Sequence, residues 1–182
     1  MLNLANKLTL LRMLMAPIVV ALLYFEGPVV CVLATLAFIF ASITDWADGY
    51  IARKENLVTS FGKFLDPLAD KILICSVLIM FVMLDWVPAW VTIIIVCREL
   101  FITGLRAMAM DEGIVLAADK FGKAKTVFQS VAIVPLLLHY PFFGYDLRPI
   151  GMVLLYASLI MAVYSGFNYT YGFYRKSFAA SA

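Results

Sequence analysis

Long apolar stretches alternate with short polar segments along the chain. Between the charged residues we find six apolar segments, each close to the roughly 20 residues that a helix needs to cross a bilayer. The segments are Leu8–Phe25, Pro28–Asp48, Leu65–Leu84, Trp86–Met110, Thr126–Phe143 and Pro149–Tyr174. The last two contain no Asp, Glu, Lys or Arg, whereas each of the first four includes charged residues near one end. The pattern predicts an all-α integral membrane protein with six transmembrane helices.

The composition points to the same class. Of the 182 residues, 64% are apolar and 14% are charged, whereas soluble domains contain about 45–50% apolar and about 25% charged residues. No repeat or long linker divides the chain, so we expect one membrane domain over residues 1–182. The net charge is only +2 and there is a single histidine. We therefore expect neither a nucleic-acid partner nor a histidine-dependent catalytic triad.

Basic residues are distributed unevenly among the connectors. The connectors after the first, third and fifth apolar segments contain one basic residue between them, Arg148. Nearly all other Lys and Arg residues lie in the N-terminus, the Gly49–Phe64 region, the Arg98–Lys125 region and the C-terminal tail. Short basic loops stay on the cytoplasmic side of a membrane. We therefore predict that both termini lie in the cytoplasm.

Four aspartates lie around the connector between the second and third segments. Ionisable groups inside membrane segments are costly and are functional candidates by default. Their spacings of three and four residues place each pair on one helix face, and oxygen ligands at this density favour Mg²⁺ or Mn²⁺. The alternative is that they are helix caps and loop charges at the water boundary. The four residues are Asp45, Asp48, Asp66 and Asp70.

Small and basic residues accompany these aspartates. Gly49 follows Asp48 directly, and Gly62 comes four residues before Asp66. Both would leave room for a diphosphate beside a metal. Arg53 lies one turn beyond Gly49, and its planar guanidinium could bind a phosphate through two N–H groups.

A second basic cluster begins near the end of the fourth segment. Arg98 and Arg106 are eight residues apart and therefore lie nearly on one helix face. Lys123 and Lys125 follow in the next connector. The cluster suggests an anionic ligand, although cytoplasmic loop charge alone explains part of it. That alternative explains Arg98 poorly, because Arg98 directly follows an apolar run; Glu99 is a candidate structural partner for it.

The stretch from Asp45 to Asp70 resembles the signature of the CDP-alcohol phosphotransferase family. All eight fixed positions of that signature are present at permitted spacings: Asp45, Asp48, Gly49, Ala52, Arg53, Gly62, Asp66 and Asp70. Members of this family are six-helix membrane proteins, usually homodimers, with a two-metal site facing the cytoplasm. They transfer a phosphatidyl or similar group from a CDP-linked donor to an alcohol and release CMP. The resemblance implies the same architecture here, in a bacterial inner membrane.

The resemblance also implies roles for individual residues. The four aspartates would bind two Mg²⁺ or Mn²⁺ ions, and Asp70 would also take the proton from the attacking hydroxyl. The residues expected to contact or border the CDP-linked donor are Gly49, Ala52, Arg53, Thr59 and Gly62.

Beyond the signature, the chain resembles the phosphatidylglycerophosphate synthases of this family. The resemblance is carried by the stretches Asn6–Arg12, Arg98–Leu100, Gly104–Arg106 and Gly122–Thr126, and by Gln129. It implies CDP-diacylglycerol as the donor and glycerol 3-phosphate as the acceptor. The acceptor phosphate would then be bound by Arg98, Arg106, Lys123 and Lys125. Asn6, Thr9 and Arg12 could border the donor site, although Asn6 could equally be a helix cap.

Two alternatives stay open. Another acceptor, such as inositol phosphate, serine or phosphatidylglycerol, would keep the same donor chemistry, and inositol phosphate would also suit the basic cluster. A divalent-cation transporter would likewise need carboxylates within the membrane. The outer halves of the apolar segments contain few polar residues, so an ion path across the membrane is poorly supported and an enzyme is favoured.

Overall fold

The structure is a computed structural model that describes the backbone of residues 4–25, 27–54, 60–111, 120–141 and 144–181. Side chains are described for residues 9–25, 27–44, 68–110, 121–141 and 144–176. Within these ranges the chain forms helices and no β-strand. The helices are α1 (Leu4–Leu23), α2 (Pro28–Lys54), α3 (Ser60–Met83), α4 (Ala89–Asp111), α5 (Lys120–Leu137) and α6 (Arg148–Ser181). The predicted helical class is confirmed.

The helices around the signature are longer than the apolar segments that predicted them. α2 continues to Lys54 instead of ending at Asp48, and α3 begins at Ser60 instead of Leu65. Apolar length measures only the part of a helix that suits lipid, while the backbone hydrogen bonds can continue into polar sequence. Gly49 and Gly62 therefore lie within helices and not in the predicted connector.

Prolines explain two other differences in helix boundaries. α5 ends at Leu137, earlier than the predicted Phe143. Pro141 disfavours helical geometry at the residue before it and lacks a backbone N–H. α4 begins at Ala89, after the predicted Trp86. The carbonyl of Pro88 accepts a hydrogen bond from Val91 N at 3.1 Å, which starts the first helical turn.

Tight turns join the helices at the end of the bundle opposite the signature. Asp85 has φ 57°, and the next residue, Trp86, donates its backbone N–H to the carbonyl of Phe81 at 2.8 Å. Gly27 has φ 134°, which side chains rarely tolerate. These turns reverse the chain between α1 and α2 and between α3 and α4.

The connector before α6 is held by an ion pair. Arg148 donates to the Asp146 carboxylate from its backbone N–H at 3.0 Å and from Nη2 at 2.7 Å. The hydrogen bonds from Arg148 lower the pKa of Asp146 to about 2. Asp146 is therefore ionised at neutral pH and anchors the start of α6.

The core lies between the six helices. α1 packs against α2 and α3, α5 packs extensively against α6, and α4 also contacts α6. Fully buried residues on five of these helices include Val19, Phe38, Phe81, Ile133 and Leu155. Gly151 lets α6 approach α5 closely, because a Cβ there would lie 2.7 Å from Leu136 Cγ.

The outside of the bundle is also apolar. Large hydrophobic residues on all six helices are at least half exposed, including Leu14, Val29, Ile79, Ile93, Val127 and Phe167. Large exposed apolar surfaces are rare on soluble proteins and typical of surfaces that meet a membrane or another protein. Among the described residues, one helix, Arg148–Lys176, is long and apolar enough to cross a membrane; Thr9–Leu23 and Pro28–Thr44 are shorter apolar helices.

Candidate active site

One cavity of about 470 Å³ lies among α3, α4, α5 and α6. Its lining is unusual for this chain because it combines acidic and basic side chains. The described lining residues are Asp70, Lys71, Arg98, Glu99, Ile102, Thr103, Arg106, Gly122, Lys123, Lys125, Thr126, Val127 and Tyr169. On one side, Ile102, Leu105 and Tyr169 form a small buried apolar cluster that packs α4 against α6.

The cavity brings together residues that the sequence analysis assigned to two separate clusters. Asp70, the expected general base, lies on α3. The four basic residues expected at the acceptor phosphate come from α4 and α5 and line the same cavity: Arg98, Arg106, Lys123 and Lys125. A carboxylate and several cations around one space can orient an anionic molecule that also presents a hydroxyl.

Arg98 is fixed by α6. Its Nε donates to the carbonyl oxygen of Ala162 at 3.0 Å, and its Nη2 donates to Ser165 Oγ at 2.9 Å. Its Nη1 donates to Glu99 Oε1 at 3.2 Å. These bonds hold the guanidinium plane in place at the cavity wall, so that less side-chain entropy is lost when a ligand binds.

Glu99 is the shared partner of two cations. It is only 8% exposed, and its Oε1 contacts both Arg98 Nη1 and Lys125 Nζ. Buried charges in proteins are normally paired, because an unpaired buried charge is strongly destabilising. One carboxylate between two cations leaves an excess of positive charge beside the cavity, which suits an anionic ligand. The expected pairing of Arg98 with Glu99 is therefore present.

Two further contacts shape the cavity wall. The guanidinium carbon of Arg106 lies 5.8 Å from the centre of the Tyr169 ring, within the range of a cation–π contact. At Gly122, an added Cβ would lie 3.1 Å from Ser165 Oγ and 3.6 Å from the Tyr169 ring. Gly122 therefore lets α5 approach the two α6 residues that support the arginines.

Three of the four expected metal ligands have side chains outside the described residues. Asp45 and Asp48 lie on the continuous helix α2, and Asp66 and Asp70 lie on α3. Spacings of three and four within unbroken helices place each pair on one face. Among the described side chains, no group of three or more His, Cys, Asp and Glu could hold a metal. Asp70 itself lines the cavity and offers the hard oxygen ligand that Mg²⁺ and Mn²⁺ favour.

Most of the expected donor-site residues also fall outside the described side chains. Thr59 lies outside the described residues altogether, while the others have a helical backbone only: Asn6, Gly49, Ala52, Arg53 and Gly62. Thr9 and Arg12 are described, and each is 1% exposed. Neither is among the residues that line the described cavity. Both side chains therefore lie in the bundle interior, and their place beside a donor stays a prediction.

Among the cavity residues that the sequence analysis did not single out, Lys71 and Tyr169 bear most directly on its charge. Lys71 follows Asp70 directly, and its charge within an apolar segment was a usable signal. Tyr169 is on α6, far from every motif, and nothing in its sequence context indicated that it would meet Arg106.

Comparisons with known proteins confirm the family that the signature predicted. A model of the CDP-alcohol phosphatidyltransferase family matches residues 2–164. A CDP-diacylglycerol–glycerol-3-phosphate 3-phosphatidyltransferase from Bacillus subtilis is 44% identical over 181 residues, covering 93% of this chain and 94% of that protein. Proteins of the same name from Rickettsia typhi and Wigglesworthia glossinidia brevipalpis are 37% and 36% identical. They cover 92% and 97% of this chain, and 94% and 98% of their own lengths. The chain belongs to the CDP-alcohol phosphatidyltransferase family.

Proposed function

We propose that the protein is an enzyme of phospholipid biosynthesis that transfers the phosphatidyl group of CDP-diacylglycerol to glycerol 3-phosphate. The products are phosphatidylglycerophosphate and CMP. The observation that carries the proposal is the cavity in which Asp70 of the family signature lies together with Arg98, Arg106, Lys123 and Lys125. Relatives named for this reaction match more than nine-tenths of the chain.

The acceptor is oriented by charge. Its phosphate lies with Arg98, Arg106 and the two lysines, where a dianion offsets the positive excess around Glu99. Its free primary hydroxyl, at the far end of the molecule, then points toward Asp70. Serine has no phosphate for the basic cluster to bind. The cluster therefore favours a phosphorylated alcohol as the acceptor.

The reaction is a displacement at phosphorus. Asp70 accepts the proton of the attacking hydroxyl, whose oxygen forms a bond to the donor's diacylglycerol-linked phosphorus. The bond between that phosphorus and the CMP oxygen breaks, and CMP leaves with the electron pair. We propose that Asp45, Asp48, Asp66 and Asp70 hold two Mg²⁺ or Mn²⁺ ions. Such ions, when bound, neutralise charge that develops on the phosphoryl oxygens and the leaving group.

The remaining donor contacts belong to the same proposal. Gly49, Ala52 and Gly62 lie on α2 and α3 near the metal ligands in sequence, and their small size would leave space for the nucleotide. Arg53 and Thr59 would contact the donor phosphates, and Asn6 and Thr9 would border the donor site from α1.

We further propose that all six helices cross a bacterial inner membrane, with both termini and the cavity on the cytoplasmic side. The long apolar α6, the exposed apolar side chains and the uneven distribution of basic residues support this arrangement. A homodimer is proposed from the family resemblance. At the cytoplasmic face, the lipid donor and the water-soluble acceptor can meet.

The test is CMP release by the purified protein in detergent with CDP-diacylglycerol and Mg²⁺. Glycerol 3-phosphate, inositol phosphate, serine, phosphatidylglycerol or no acceptor is added in separate reactions. We expect release that depends on glycerol 3-phosphate. Release with a different acceptor would overturn the assigned acceptor but retain the donor chemistry. If folded protein releases no CMP with any acceptor, the proposed enzyme is wrong and cation transport becomes the better hypothesis.

A further inference from the structure

A narrow recess adjoins the cavity on its α5 side. Its volume is about 10 Å³, close to the space that one water molecule or one hydroxyl group needs. The recess and the main cavity share five lining residues, Asp70, Lys71, Glu99, Lys125 and Thr126. Its other lining residues are Ile74, Cys75 and Gln129. The recess therefore lies directly beside the cavity.

Gln129 lines this recess and carries an unused hydrogen-bond donor. Its side chain is 2% exposed. Among the described residues, no hydrogen-bond partner lies within reach of its Nε2 atom. A buried donor without a partner is unfavourable, and native structures contain few of them. The amide is thus suited to a partner that arrives with the ligand.

The cavity and the recess differ in charge. Arg98, Arg106 and Lys123 line the wide cavity but are not among the described residues of the recess. Asp70 lines both spaces. In the described part of the chain, the recess is lined by two carboxylates and two amines, those of Asp70, Glu99, Lys71 and Lys125, so its charges balance. A phosphate therefore fits the wide end, where there are three further cations, and an uncharged hydroxyl fits the narrow end beside Asp70.

We propose that the Gln129 amide donates a hydrogen bond to the secondary hydroxyl of the acceptor and thereby selects an acceptor with two neighbouring hydroxyls. This inference rests on the proposed function, in which the primary hydroxyl attacks beside Asp70. The secondary hydroxyl is carried by the adjacent carbon and so lies close to the same carboxylate. The recess that Asp70 shares with Gln129 has room for one such group.

Selectivity follows from the burial of the amide. An acceptor that lacks the secondary hydroxyl would leave Nε2 without a partner, and sites built to bind a hydroxyl discriminate strongly against analogues that lack it. Because one hydrogen bond is involved, we expect kcat/KM to be about ten- to hundredfold higher for an acceptor with the secondary hydroxyl than for one without it.

The experiment compares glycerol 3-phosphate with 1,3-propanediol phosphate, which lacks only the secondary hydroxyl. CMP release is measured with the wild-type protein and with Gln129→Leu in detergent. We expect the wild type to prefer glycerol 3-phosphate by about ten- to hundredfold and the variant to show less than about threefold preference. In the variant, kcat/KM should fall mainly for glycerol 3-phosphate. The analogue has no secondary hydroxyl to accept a hydrogen bond from the amide, so its kcat/KM should change little.

Two results would overturn the inference. One is a Gln129→Leu protein that keeps the wild-type preference; the other is an equal loss of kcat/KM for both acceptors, which would indicate that the amide only holds a structural water. Gln129→Met, of similar length, provides a second test if the leucine variant does not fold. Ser130→Ala is the matched control, because Ser130 lines an apolar groove on another face of α5. A wild-type protein without any acceptor-dependent CMP release would instead overturn the proposed function itself.

Discussion

Arg98 on α4 donates a hydrogen bond from Nη2 to Ser165 Oγ on α6 at 2.9 Å. Ser165 is completely buried. The bond ties the basic wall of the cavity to the longest helix of the described chain. The position of the arginine therefore depends on the packing of α4 against α6 as well as on its own helix.

Ser165→Ala tests this dependence. Without the hydroxyl, Arg98 keeps its bonds to Ala162 and Glu99 but gains freedom to rotate. We expect the KM for glycerol 3-phosphate to rise about five- to tenfold, with a smaller change in kcat, because a hydrogen bond to a charged group is worth about 1.5–3 kcal/mol and part of it is replaced. Initial rates of CMP release measure both constants.

The matched control is Ser158→Ala. Ser158 is also buried on α6, but its hydroxyl donates to the carbonyl of Leu155 at 2.8 Å, away from the cavity. Equal changes in KM for the two variants would show that Ser165 affects the enzyme through general helix packing and not through Arg98.

Glu99→Gln tests whether the negative charge of Glu99 offsets the positive charges of Arg98 and Lys125. The substitution leaves Arg98 and Lys125 beside a neutral amide, and loss of one partner of a buried pair costs about 3–5 kcal/mol of stability. We expect a lower midpoint of thermal unfolding in detergent, and a larger increase in that midpoint on adding glycerol 3-phosphate than the wild type shows. The added dianion would replace the missing negative charge.

Asp85→Asn is the control for this experiment. Asp85 is exposed in the turn between α3 and α4, at the other end of the bundle. The prediction is contradicted if Glu99→Gln unfolds at the same temperature as this control and responds no more strongly to the ligand.

Gly151→Ala should destabilise the contact between α5 and α6. The new methyl group would lie 2.7 Å from Leu136 Cγ and 3.1 Å from the backbone oxygen of Ala132. Leu136 is 1% exposed and has little room to move. Overpacking of this kind costs about 1–3 kcal/mol. At Gly104, a Cβ would meet nothing within 4 Å, so Gly104→Ala should be neutral or stabilise by up to about 1 kcal/mol. Thermal unfolding in detergent compares the two, and equal midpoints would contradict the predicted clash.

The helices and the charged residues of the cavity were predictable because both leave a strong signal in an apolar sequence. Six apolar segments required six helices if each was to be buried in lipid or in the bundle. Arg98 stood out because a charge next to an apolar run needs a partner or a ligand. The structure provides Glu99 as that partner and the cavity as a place for a ligand.

Contacts between distant helices were not predictable in the same way. Ser165 and Tyr169 are ordinary residues of an apolar helix, and only the approach of α6 to α4 and α5 brings them to the arginines. The burial of Gln129 without a described partner likewise depends on side-chain packing around the recess. Helix ends were shifted where proline or continued backbone hydrogen bonding mattered more than hydropathy, as at Leu137 and Lys54.

Asp70→Asn tests the proposed base directly. The amide has nearly the same shape as the carboxylate, but it cannot accept the proton of the attacking hydroxyl. Loss of a general base slows reactions by about 10²–10⁴-fold, and loss of a proposed metal ligand would add to this effect. We expect CMP release to fall by at least about 100-fold while the thermal unfolding midpoint stays near that of the wild type.

Binding of glycerol 3-phosphate distinguishes a role of Asp70 as the base from a role in holding the structure. Because the basic residues remain in place, glycerol 3-phosphate should still raise the unfolding midpoint of Asp70→Asn in detergent. Asp85→Asn, which changes an aspartate in the turn far from the cavity, should retain full turnover. Near-normal CMP release by folded Asp70→Asn would rule out Asp70 as the base and would direct attention to the neighbouring aspartates of α2 and α3.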